Sequence, residues 1–263
     1  MKIDLSTLKQ NLAGNGWQID MDVLVALKNS DKEGLNAELA KVGRDLEGFK
    51  SRLRYLGMIG HSKVLDFGCG FGQWSLALAD LNATVLGVDK AAQRLAMARI
   101  LSKQTRISGA LTFGESIEEV GLGADQPAGQ LDAIFCYSVF MFVPGQIFMA
   151  EFARLLRPGG KLYIMVDLPA WHLSRLPRNL KSLPSIGYMT LNSLIGRDRN
   201  IVYTRRSLEN CIEQHGFDLL ESGTDYTTSF KPKMERGPQN ENLRLPQKFM
   251  GLPMLHEVCA IRK

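Results

Sequence analysis

The chain has 263 residues, a length that suits one large domain, or one domain with additions, and that can bury a core without disulfide or metal staples. Its composition, 45% apolar and 22% charged, is that of an ordinary globular protein and excludes a fibrous or disordered chain. There are 32 Lys and Arg against 27 Asp and Glu, a net +5, and residues 168–206 alone hold seven bases and one acid, so all the excess charge sits in one segment and favours anionic partners.

Residues 1–20 carry little periodicity. From Asp31 to Leu56 the sequence predicts an amphipathic helix, with Leu35, Leu39, Val42, Leu46, Phe49, Leu53 and Leu56 at alternating spacings of four and three. Ser30 and Glu33 could form a capping box at its start, and Gly57 and Gly60 follow its end. The same spacing suits a coiled-coil seam. It lasts under four heptads and runs into a strand, so packing against the parent domain is expected.

Short apolar runs then alternate with helical stretches. Strands are predicted at 64–68, 84–89, 110–113, within 131–140, and at 161–167. The helical stretches between them are QWSLALADL, AAQRLAMARILSKQ and QIFMAEFARLL. Arg157-Pro158-Gly159-Gly160 reads as a turn before the fifth strand. A basic insert follows, then the helix RRSLENCIEQHGF, the strand DLLES and a last strand, LHEVCAIRK. This alternation implies parallel βαβ units and an α/β, doubly wound sheet. The expected organisation is an N-terminal helical extension over 1–60 and a domain over 61–263, with 168–204 as a lid on the substrate.

In such a sheet ligands sit beyond the carboxyl ends of the strands. The first strand ends in Asp66-Phe67-Gly68-Cys69-Gly70-Phe71-Gly72, where glycines allow a tight turn and close approach of the backbone to a ligand. The second ends in Asp89, followed by Lys90, and Asp89 is placed to accept hydrogen bonds from two ribose hydroxyls. A dinucleotide fingerprint would need a glycine at position 73, which is Gln73. An acid beside the loop would repel a pyrophosphate but suits a cofactor bearing an amino group and a sulfonium. The contrast favours S-adenosylmethionine over a nicotinamide dinucleotide.

The segment from Val64 to Asp167 resembles the class I S-adenosylmethionine-dependent methyltransferase family. The resemblance rests on the DFGCGFG loop, the acid ending the second strand, FGES (113–116), LDAIFCYSVF and LLRPGGKLYI. It implies a Rossmann-like seven-stranded sheet with an antiparallel last strand. It also implies that Asp66, Gly68, Cys69, Gly70 and Gly72 hold the methionine moiety, Asp89 the ribose, and Glu115 or Ser116 the adenine. Cys136 and Tyr137, ending the fourth strand, would face the reacting methyl. The Asn-Pro-Pro-Tyr signature of adenine- and amide-methylating members is missing there.

Methyl transfer needs alignment and, for poor nucleophiles, a base. Candidates are His172, which opens the basic insert, Tyr137 and Asp167. His61, His215 and His256 are expected to be structural. The insert interleaves arginines with Trp171, Leu173, Tyr188 and Leu191, which suits an anionic or amphipathic small-molecule acceptor. Pro169, Pro177 and Pro184 argue against a long interfacial helix. An RNA methyltransferase using the basic insert, and a non-catalytic cofactor-binding or scaffold protein, are the alternatives. The spread of Cys69, Cys136, Cys211 and Cys259 supports neither a metal site nor a disulfide framework. The first residues lack the apolar core of a signal peptide, and the run from Ala133 to Val143 is about half a membrane span. A cytoplasmic monomer or homodimer is expected.

Overall fold

The computed structural model describes residues 4–14, 20–22, 24–25, 46–175, 183–224, 226–237 and 248–263. The chain divides into two compact units, the first running to Gly123 and the second starting at Ala124.

The first unit opens with helix α1 (Leu5–Gly14), a departure from the aperiodic reading of residues 1–20. Its start is set by a local device that periodicity does not register. Asp4 accepts the backbone N–H groups of Ser6 and Thr7, at 3.3 and 3.0 Å. Helix α2 (Leu46–Leu56) is the C-terminal part of the long helix expected over 31–56, whose earlier portion lies outside the described residues. It buries Leu46, Phe49, Leu53 and Leu56 on one stripe. Then come β1 (Lys63–Phe67), α3 (Gln73–Leu81), β2 (Thr84–Val88), α4 (Ala92–Gln104) and β3 (Ala110–Gly114). The three strands pair in parallel in the order β3-β2-β1, with Lys63 opposite Thr84 and Thr84 opposite Ala110.

The second unit holds β4 (Leu131–Tyr137), α5 (Gly145–Leu155) and β5 (Leu156–Asp167). Two short helices follow, α6 (Pro169–Arg175) and α7 (Leu183–Leu194). Pro169 and Pro184 fall in their first turns, where a missing N–H costs nothing. Then come α8 (Arg205–Gln214), β6 (Phe217–Thr224), a small hairpin of β7 (Lys248–Phe249) and β8 (Leu252–Pro253), and β9 (Leu255–Arg262). The order is β4-β5-β9-β6, with β4 and β5 parallel and β9 antiparallel to both its neighbours.

Strand β5 starts five residues earlier than the sequence suggests. Leu131 pairs with Leu156 and Ala133 with Lys161, so Arg157–Gly160 bulges out of the ladder, with Gly159 at φ +74° as the turn chemistry requires. With three strands in one unit and four in the other, the last of them reversed, the chain has the seven-stranded α/β fold expected of it. Among the described residues no helix is long and apolar enough to cross a membrane.

Candidate functional site

In the first unit the candidate residues converge on the turn after β1. Gly68, Gly70 and Gly72 all take positive φ (+76°, +57° and +78°), a region that residues with a Cβ rarely enter. The amides of Gly68 and Cys69 both donate to the carbonyl of Val88, which folds the turn back over the end of β2. Around Gly70 a Cβ would meet nothing within 4 Å, so the loop is open there. At Gly72 a Cβ would lie 2.9 Å from the Cβ of Ala98 and 3.0 Å from the Phe113 ring, so this glycine answers to packing as well as to φ.

Asp89 grips this turn. Its Oδ2 accepts the Gly70 N–H at 3.0 Å and its Oδ1 the Ala91 N–H at 2.9 Å, leaving lone pairs on both oxygens for a diol. Asp66 lies behind the turn, 2% exposed, and its Oδ2 accepts the Ser75 hydroxyl at 2.5 Å. Burial pushes its carboxyl up to about 7, the Ser75 bond pulls the other way, and the Asp89 charge adds to the rise. Burial and the same two carboxylates hold the Cys69 thiol far above its ordinary range, so it is no nucleophile.

The remaining cofactor candidates lie nearby in the chain. The Glu115 N–H donates to Glu119 at 2.8 Å, leaving its own exposed carboxylate out of that bond, while the Ser116 hydroxyl bonds Glu118. Lys90 is exposed. Two acids and a bent, Cβ-free turn fit a ligand with a positive group and a vicinal diol better than a pyrophosphate, which would meet like charge.

In the second unit the candidates gather at the end of β4. Tyr137 is half-buried and its hydroxyl shares a hydrogen bond with that of Tyr226. Ser138 follows at φ +58°, its hydroxyl donating to both oxygens of Asp167 at 3.0 Å. Asp167 is 7% exposed at the end of β5, so it acts first as an anchor of this corner. Cys136 points to the opposite face of β4 from Tyr137 and is wholly buried. The structure therefore separates the two residues that the sequence placed together at the strand end.

His172 sits half-buried on α6. Helix α7 buries Met189 and Asn192 and exposes Tyr188, Leu191 and Leu194, with exposed Arg197 and Arg199 following. Arg178 and Lys181, counted in the basic insert, lie outside the described residues. His256, expected to be structural, is fully buried in β9 with its Nε2 3.3 Å from the Ser222 hydroxyl.

Sequence reasoning missed Ser75, Ser138 and Tyr226. Ser75 had a usable signal, since a polar residue in the first turn of a helix after an acid-ended strand can reach that acid. Tyr226 had none, because its partner is 89 residues away. All four cysteines are free and buried. No group of three or more His, Cys, Asp and Glu residues with metal-site geometry occurs among the described residues.

A family model described as "Methyltransferase domain" matches residues 65–164. The chain is 32% identical over 159 residues to a ubiquinone biosynthesis O-methyltransferase of Xanthomonas oryzae pv. oryzae, across 59% of this chain and 63% of that protein. It thus spans under two thirds of the curated relative. Among solved structures, the plantazolicin methyltransferase BamL aligns with a TM-score of 0.57 at 18% identity, covering 98% of this chain and 99% of that one. The geranyl diphosphate C-methyltransferase of Streptomyces coelicolor aligns at 0.55 and 17%, covering 86% and 80%. At these identities the two structures speak for the fold alone. The family match and the acid-ended, glycine-rich turn coincide in one segment, and residues 65–164 match a methyltransferase domain.

Proposed function

We propose that this protein transfers a methyl group from S-adenosylmethionine to oxygen on a small or medium-sized organic acceptor that is anionic or amphipathic. The observation that carries the reading is the grip of Asp89 on the Gly70 turn, with Asp66 buried behind it. The O-methyltransferase relative supports oxygen as the acceptor atom.

The cofactor supplies an activated methyl on a sulfonium. Held by Asp89 and Asp66, it would offer that methyl to the oxygen of an acceptor whose O–H gives up its proton, and would itself be left as a thioether. On this reading the chain's own residues do four things. Asp89 accepts the ribose hydroxyls while holding the turn. Asp66 places a carboxylate behind the positive end of the methionine moiety. Tyr137 receives the acceptor at the end of β4, with His172 on α6 as the candidate proton acceptor. The apolar residues of α6 and α7 and the arginines after them cover an acceptor with an anionic or greasy part.

Calorimetry with S-adenosylmethionine and its demethylated product tests the first half. Wild type is expected to bind both, and Asp89→Ala to lose roughly tenfold to a hundredfold in affinity, the worth of charged hydrogen bonds. Absence of binding by wild type would end the methyltransferase reading.

A further inference from the structure

We propose that Tyr226 is the positioning residue for Tyr137, and that the phenol pair they form, seated beside Glu257, holds the methyl-accepting hydroxyl at the end of β4. The proposal rests on the reading of the chain as an oxygen methyltransferase.

Register brings the parts together. Tyr137 pairs with Met165, Met165 with Glu257, and Glu257 with Gly223, so this row projects its side chains from one face of the second unit's strands. The chain leaving β6 folds back over that face. Tyr226 sits there at φ +66°, a conformation rare for a bulky residue, 4% exposed, with its hydroxyl on that of Tyr137.

The strap is pinned along its length. The Thr228 hydroxyl and N–H donate to Glu257 Oε2, and the Ser229 N–H donates to Glu221 Oε2 at 3.0 Å. Arg236 closes on Glu221 through its guanidinium, and the Lys161 ammonium lies 5.2 Å from the Phe230 ring centre. Thr228 and Glu257 are wholly buried. A residue in an unfavourable backbone region, anchored on the chain that follows it, is over-determined by its surroundings, and such placements cluster where geometry serves function.

Electrostatics assign the roles. Burial, Tyr137 and Glu257 all hold the Tyr226 phenol well above its ordinary range, so it stays protonated. A phenol has one proton and two lone pairs. The bond to Tyr226 fixes the rotation of the Tyr137 hydroxyl, and of the two residues Tyr226 is buried while Tyr137 is half-buried. Ser138, tied to Asp167, fixes the adjoining backbone. A free phenol rotor would spend entropy on the alignment that this pair supplies in advance.

The test uses Tyr226→Phe, Tyr137→Phe and the double variant of the full chain, with labelled cofactor and caffeate or a long-chain alkyl catechol as acceptor probes. Both single variants are expected to bind S-adenosylmethionine as wild type does, Tyr226→Phe losing about tenfold in kcat, the worth of one well-placed hydrogen bond, and Tyr137→Phe at least as much. The double variant is expected to be no worse than Tyr137→Phe alone, because Tyr226 acts only through the Tyr137 hydroxyl that this variant already lacks. A merely structural Tyr226 would lower Tm and leave kcat of the folded enzyme unchanged. Wild-type kcat for Tyr226→Phe, or losses that multiply in the double variant, would overturn the proposal. If Tyr226→Phe fails to fold, Tyr137→Phe breaks the same bond from the accessible side, and wild-type kinetics for it would also overturn the proposal. Failure of wild type to bind the cofactor removes the methyltransferase reading itself. Cofactor binding with no methylation of either phenol removes the oxygen-acceptor reading and this inference with it.

Discussion

Asp66 gives this protein a response to pH. In the unfolded chain its carboxyl ionises near 3.8, and in the folded protein near 7, so between those values the folded state holds a proton that the unfolded state gives up. Stability from this group is full below about pH 4 and is lost as pH rises towards 7, by on the order of 4 kcal/mol. Asp66→Asn removes the titration. Its Tm is expected to change less than that of wild type between pH 5 and pH 8, and to exceed it at pH 8. Cofactor affinity should run the other way, since a positive ligand favours the carboxylate. Calorimetry across the same range should show wild-type affinity rising with pH and levelling off above 7. Asp66, the three glycines and Asp89 were legible in the sequence because their spacing is local and their chemistry is carried by residue type. Ser75 and Ser138 were not, because a serine hydroxyl finds its partner only once the turn around it has formed. For Cys136 the strand period alone decided the matter. It alternates with Tyr137, so the two could not share a face.

At the scale of elements, close packing sets the sharper constraints. Gly87, in the middle of β2, has the Phe113 ring lying over it, and a Cβ there would meet Phe113 Cδ1 at 2.6 Å and the Ser75 hydroxyl at 3.1 Å. Gly87→Ala is expected to cost about 1–3 kcal/mol in urea unfolding, with part recovered by Phe113→Leu. It should also weaken cofactor binding, because Ser75 is the hydroxyl that bonds Asp66. Helix α8 starts on a reciprocal cap in which the Thr204 hydroxyl accepts the Ser207 N–H at 3.1 Å and the Ser207 hydroxyl accepts the Thr204 N–H at 3.0 Å. Thr204→Ala should lower stability by about 1 kcal/mol with cofactor affinity untouched. The strands of the sheet and the helices between them were readable from apolar periodicity, since burial on one or both faces imposes it. Helix α1 was not, because its signal is the Asp4 cap rather than a stripe. The early start of β5 was hidden by Pro158 and two glycines, which read as a turn and are accommodated as a bulge.

Across the whole molecule the charge is uneven, with +6 in residues 168–206 and near neutrality elsewhere. Exposed Arg197 and Arg199 follow the apolar face of α7. Screening shrinks from about 10 Å at 0.1 M salt to about 3 Å at 1 M. For an anionic acceptor KM is therefore expected to rise several-fold over that interval, while a neutral analogue keeps its KM. Equal salt responses would show that the basic segment does not serve the acceptor. The glycine-rich turn and the acids beside it could be read in advance because they form a local motif. The contacts of Tyr137 with Tyr226 and of Ser138 with Asp167 could not, since each joins residues far apart in the chain.

Helix α2 bears on where the chain can be cut. Phe49 meets Trp74 edge-on at 4.6 Å, and the Lys50 ammonium reaches Asp80 at 2.6 Å. Asn82 ties off the exit, its amide donating to the Met58 and Leu78 carbonyls and its oxygen accepting the His61 N–H. A chain trimmed to begin at His61 would strip the cover from Trp74 and leave Asp80 without its counter-ion. Residues 46–60 are thus a part of the first unit's core that happens to precede its first strand. In limited proteolysis the shortest fragment to survive should still begin ahead of Leu46.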